Sequence, residues 1–86
     1  MSDAALLEEL VGILENHGVI VRRELIDEST GGLCRIGDRH VMFVNTSADP
    51  KTSAIACAKA LWAVADIDGI YLRPDIRQVI ESVQGD

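Results

Sequence analysis

The stretch that most constrains this chain runs from Asp49 to Asp66 and reads Asp-Pro-Lys-Thr-Ser-Ala-Ile-Ala-Cys-Ala-Lys-Ala-Leu-Trp-Ala-Val-Ala-Asp. It predicts one alanine-rich helix with Asp49 as N-cap and Pro50 at the first helical position, where the missing N–H costs nothing. At about 100° per residue, Ala54, Cys57, Leu61, Val64 and Ala65 share one face, and Thr52, Lys59 and Asp66 mark the opposite one. That solvated face is narrow. A rod so apolar around its circumference needs cover on several sides, which makes it the expected centre of the fold. Its alanines allow neighbouring backbones to come close, and its inner side carries no evident reactive group.

The rest of the chain supplies that cover. From Ser2 to His17, Leu6, Leu7, Leu10, Val11, Ile13 and Leu14 recur at helical spacing, with Glu8, Glu9 and Glu15 on the other side. Gly18 closes this amphipathic helix as a left-handed residue, and His17 serves the negative end of its dipole. The run Val19 to Leu25 is β-branched and then charged, which suits an edge strand. Ile26 to Thr30 is polar enough for a loop, with Gly31-Gly32 as the turn back into a short strand, Leu33 to Ile36. Gly37-Asp38 fits a two-residue hairpin of type II′, leading into Arg39–Asn45, which is apolar on both faces and therefore the best-buried strand. An antiparallel meander is expected, with the spatial order of strands open. After the central helix, Ile70-Tyr71-Leu72 is either extended or tucked under the last element. Pro74 then starts a helix carrying Ile76, Val79, Ile80 and Val83 at i, i+3, i+4 and i+7, ending at Gly85. The expectation is a single α+β domain over residues 1–86 in the order α-β-β-β-α-α, its three-stranded antiparallel meander packed by helices.

A chain of 86 residues has room for a small core, and with Phe43, Trp62 and Tyr71 as its aromatic residues that core must be aliphatic and alanine-rich. The net charge of −6 repels a phosphate backbone, so no nucleic-acid partner is expected. The start, Met1-Ser2-Asp3, has no basic region or cleavage site for export. The longest nearly apolar run, Ala54 to Ala65, contains Lys59 and falls short of the ~20 residues a bilayer needs. A cytoplasmic location with no membrane partner follows, in which Cys34 and Cys57 are free thiols and serve first as small core residues.

Chemistry is scarce. The soft ligands His17, Cys34, His40 and Cys57 include no pair at i, i+3 or i, i+4 spacing, so neither a metal nor another cofactor is expected. Cys57 lies mid-helix on the core face, where burial raises a thiol's pKa. If Gly37-Asp38 is the turn, Cys34 faces Val41, and His40 lies on the other side of the sheet, which disfavours a Cys34–His40 dyad. Gly31-Gly32 lacks the context of a phosphate loop. The basic residues Arg22, Arg35 and Arg39, with His40, all fall in the sheet; Arg22 and Arg35 on one solvent face would suit an anion, although an open sheet face gives the same pattern without a ligand. Ile55 and Trp62 flank the polar stripe of the central helix beside Lys59, an apolar patch suited to a partner unless another helix covers it.

The order of helix, three strands and a central helix entered through Val44-Asn45 resembles the minimal core of ImmA/IrrE-type zinc metallopeptidases, over Ser2 to Asp66. That family carries HExxH on its central helix, with two histidines for zinc and a glutamate that activates water. The matching stretch here is Cys57-Ala58-Lys59-Ala60-Leu61, which has neither histidine nor glutamate, so the resemblance implies no peptidase activity. Gly31-Gly32-Leu33-Cys34-Arg35-Ile36 and Gly69-Ile70-Tyr71-Leu72-Arg73-Pro74 also resemble stretches of small uncharacterised bacterial proteins, a likeness that brings no function.

The expected function is therefore non-catalytic: a domain acting through protein–protein contact, self-association as a homodimer included, with Ile55, Lys59 and Trp62 as the contact patch. The alternative is an anionic small molecule held by Arg22, Arg35, Arg39 and His40. A third reading is a thiol or metal enzyme using Cys34, Cys57 and His40.

Overall fold

The computed structural model describes residues 2–26 and 31–83. Helix α1 spans Asp3–Asn16; strands β1, β2 and β3 span Ile20–Glu24, Gly31–Ile36 and Arg39–Asn45. Helix α2 spans Pro50–Val64, a 3-10 turn covers Ile67–Gly69, and α3 spans Pro74–Ser82. The expected order of elements is present. Helix ends are set by local chemistry: the Ser2 side chain accepts from the Ala5 N–H, and Asp49 accepts from the Thr52 N–H at 2.7 Å with Pro50 following it. Gly18 takes φ +82° after α1, and the His17 ring nitrogen Nδ1 lies 2.9 Å from the Ile13 carbonyl, which it caps as donor.

The sheet departs from the expected meander. Its order is β1-β3-β2, with β1 parallel to β3 and β2 antiparallel to it. The reason lies in which strand most needs cover. In β3, Val41, Met42 and Val44 are all buried, and the central place pairs both its edges. A meander would centre β2, with its two glycines and Arg35, and leave β3 at the edge. Strand β1, with Arg22, Arg23 and Glu24 in succession, takes an edge as its charge predicts. The chain between Glu24 and Arg39 then serves as the crossover that a parallel pair requires, and builds β2 on the way.

Gly31 and Gly32 are another departure. They open β2 instead of forming a turn, and Gly31 has φ +97°. A Cβ at Gly31 would stand 2.2 Å from the Phe43 carbonyl oxygen, so glycine is required there on two counts. The hairpin at Gly37-Asp38 forms as expected, with Gly37 at φ +65° and Ile36 paired with Arg39. Of the loop expected at Ile26 to Thr30, residues 27–30 lie outside the described residues, as does Gly85; α3 ends before it, at Ser82, with Val83 as its C-cap.

Helices α1 and α2 pack against each other and lie on one face of the sheet, and α3 packs against α2. The core joins Leu7, Leu10, Val11 and Leu14 of α1 to Ala54, Cys57, Ala58 and Leu61 of α2. Met42 and Val44 close it from the sheet, and Ile76 and Ile80 from α3. Ile70 and Leu72 tuck against this cluster while Tyr71 stays 87% exposed, so the segment before α3 is the tucked alternative, not a strand. No helix among the described residues is long and apolar enough to cross a membrane.

An unforeseen polar node ties the strand ends together. Buried Asn45 donates through Nδ2 to the Ile26 carbonyl at 2.7 Å, and its Oδ1 accepts from the N–H groups of Ile26 and Ser47 and from the Ser47 hydroxyl. The side chain thus meets the buried-polar requirement while holding the exit of β1 beside the exit of β3.

Candidate functional site

Among the described residues, no element covers the sheet face away from the helices. Pairing places Ile20, Val41 and Cys34 in one row across it, and Arg22, Phe43 and Gly32 in the next. Ile20 and Ile36 are 40% and 58% exposed, whereas Val41, between Ile20 and Cys34, is buried. The Arg22 guanidinium lies 5.9 Å from the Phe43 ring centroid and pairs with Glu24 at 2.7 Å.

The edge strand β2 separates two depressions. On the helix side, a groove of about 650 Å3 runs between β2 and α2, with Gly31, Gly32 and Leu33 on one wall and Ile55, Ala56, Lys59 and Ala63 on the other. The space between the walls is left unfilled because the strand side begins with two residues lacking Cβ and the helix side presents small alanines. On the open side, a hollow of about 390 Å3 lies over Gly32, Cys34 and Phe43, with Glu24 and Ile26 at its border.

The free edge of β2 has a defined polarity. Ile36 and Arg39 flank a two-residue loop and so exchange backbone hydrogen bonds, as do Cys34 with Val41 and Gly32 with Phe43 at every second position. The N–H and C=O groups of Leu33 and Arg35 consequently point away from β3, and among the described residues they have no backbone partner.

The predicted site residues separate in space. Ile55 and Lys59 stand one helical turn apart in the groove wall, together as expected. Trp62 is directed elsewhere: it is half-buried against the core and its indole N–H donates to the Ile80 carbonyl at 2.9 Å, so it fastens α3 to α2. The four residues of the anion alternative do not converge. Arg22 shares the open face with Phe43, whereas Arg35 pairs with His40 on the face toward the helices. Arg39 lies four residues along β3 from Phe43, about 13 Å away at the usual strand rise. Arg35 turns back, its Nε donating to the Gly37 carbonyl.

The thiols also part company. Cys57 is fully buried and the loss of hydration pushes its pKa up to about 11, against a smaller opposing pull from the Arg23 charge. Cys34 is exposed, which corrects its expected place in the core; the register puts it on the open face because the core-facing position of that strand belongs to Leu33. It is opposite Val41, and His40 is opposite Arg35, so the two sit on different faces as the parity argument requires. Both cysteines are free thiols. Among the described residues no three His, Cys, Asp or Glu side chains gather closely enough to hold a metal ion. At the place where HExxH would stand, Cys57, Ala58 and Leu61 are buried and Lys59 alone is exposed.

Near the sheet's far edge, Arg23 makes two hydrogen bonds to the Glu8 carboxylate, at 2.6 and 2.7 Å. These hold Glu8 below the usual carboxylate range and raise Arg23 further.

What sequence reasoning missed at this site is the strand side of the groove. Two signals were present: the alanines at 56, 60 and 63 follow i, i+4, i+7 spacing, and β2 carries one charged residue where β1 carries three in a row. No protein-family model, no curated protein and no solved structure matches this chain.

Proposed function

We propose that this domain works without catalysis, in the cytoplasm, through protein–protein contact along the strip formed by the free edge of β2 and the α2 groove. The observation that supports the reading is the coincidence of unpaired backbone groups at Leu33 and Arg35 with an apolar groove beside them. An exposed strand edge is a template for another extended chain; main-chain bonds supply affinity, and hollows on either side receive alternate side chains. The contact strip then includes Ile55 and Lys59, and leaves Trp62 to its role between α2 and α3.

A photo-reactive amino acid at position 55, compared in cells with the same residue at exposed Gln78 of α3, tests this reading. Cross-linked protein is expected from position 55 and not from position 78. Equal yields at both positions, or none at either, would remove the α2 groove from the working surface.

A further inference from the structure

The two edges of the sheet are not equivalent. Three successive charges, Arg22, Arg23 and Glu24, protect β1 against pairing, whereas β2 has no proline and one charged side chain. Among the outward backbone groups of β2, those of Leu33 and Arg35 are spaced symmetrically about Cys34. A strand with that symmetry can be its own partner. We propose that a second copy of this chain docks antiparallel along β2, Leu33 of each copy opposite Arg35 of the other, so that the two sheets become one of six strands; this rests on the contact reading above and names the occupant.

The register is chosen by side chains. With Leu33 opposite Arg35, Ile36 of the second copy stands opposite Gly32 on the open face. Ile36 is a large apolar residue that its own chain leaves 58% exposed. A Cβ at Gly32 would meet nothing within 4 Å, and the hollow beside it is floored by Phe43. The bulk on one copy thus meets the space on the other, and two-fold symmetry, the commonest for homo-oligomers, makes the match twice. The row Arg22, Phe43, Gly32 continues into Ile36 and Arg39 of the second copy, and the row Ile20, Val41, Cys34 continues into its mirror. Each Arg35 faces a leucine, so no like charges are directly opposed in the new pair of strands. On the helix side the same docking brings the α2 groove walls toward each other, where Ala56 and Ala63 leave room for a close approach.

The two Cys34 residues would form a non-hydrogen-bonded pair with Cα atoms about 4.5 Å apart, within the range that a disulfide spans. This gives the test its readout. Sedimentation equilibrium between about 1 and 500 µM should show a reversible dimer. Mild oxidation with diamide, which takes two electrons and two protons from the thiol pair, should link that dimer through Cys34. Gly32→Val, whose Cβ meets no atom of its own chain within 4 Å, puts bulk into the hollow, and Ile36→Lys removes the plug. Each should weaken the dimer at least about 30-fold, with the fold intact by circular dichroism. A monomer across the whole range overturns the proposal, as does a dimer that survives both substitutions or leaves Cys34 unlinked. Capture of a different protein at position 55 by a chain that stays monomeric would keep the contact reading and remove the second copy. A linked dimer with no capture at position 55 would support the strand pairing and take the α2 groove out of the contact.

Discussion

The paired glycines at the start of β2 offer the sharpest check on the fold, because alanine at one should do the opposite of alanine at the other. At Gly31 the backbone has φ +97°, where a non-glycine residue is strained by about 1–2 kcal/mol. The added Cβ would also lie 2.2 Å from the Phe43 carbonyl oxygen, well inside the 3.0 Å that real Cβ contacts respect. That oxygen is backbone in the central strand, so relief must come from moving β2 outward and weakening the ladder, at about 1 kcal/mol for each bond lost. Against this stands a gain of about 0.4–1 kcal/mol from a stiffer unfolded chain. The net expectation for Gly31→Ala is a loss of about 2 kcal/mol, which for a domain of this size lowers the melting temperature by about 8–16 °C. At Gly32, φ is not positive and a Cβ meets nothing within 4 Å, so Gly32→Ala keeps only the entropic gain and should raise the melting temperature by about 2–8 °C. Urea titration followed by circular dichroism at about 1 µM protein, low enough to limit any contribution of self-association, would measure both. Equal stability of the two variants would refute the assigned path of the chain into β2.

Other perturbations follow from the same geometry. Asn45→Ala should cost about 2–3 kcal/mol by urea titration, since it strands polar groups of Ile26 and Ser47 near the core; an unchanged midpoint would show that the node is dispensable. A thiol reagent at neutral pH should modify Cys34 quickly and Cys57 only after unfolding, given the burial of Cys57 and its pKa of about 11; two equally fast thiols would contradict the core. Because Glu8 is held below its unfolded pKa, the Glu8–Arg23 contribution is complete above the ordinary carboxylate pKa and is lost as pH falls through the lower folded value. The stability gap between the natural chain and Glu8→Gln, below about 1 kcal/mol for an exposed pair, should therefore persist from pH 6 to 8 and shrink below about pH 4. A gap that grew with acid would reverse the assignment.

Local patterning carried the helices. The 3.6-residue recurrence of Leu7, Leu10, Val11 and Leu14, the Asp49-Pro50 start and the Pro74 start depend on neighbours within a turn or two, and the physical forces that set them act over the same distance. The hairpin at Gly37-Asp38 was legible for the same reason, and its parity alone separates Cys34 from His40. Ile55 and Lys59 were legible as neighbours in a contact patch because a helical wheel places them together, while Trp62, on the same wheel, was drawn away by the carbonyl of Ile80 eighteen residues later.

What the amino-acid order determined by itself was the set of elements, the edge position suited to β1 and the need to bury β3 on both sides. The tertiary structure alone decided that β3 lies between β1 and β2, that Gly31-Gly32 joins a strand and that Cys34 faces outward. Each of these depends on contacts between residues far apart in the chain, where the gain from covering Val41, Met42 and Val44 together outweighs the local convenience of pairing successive strands.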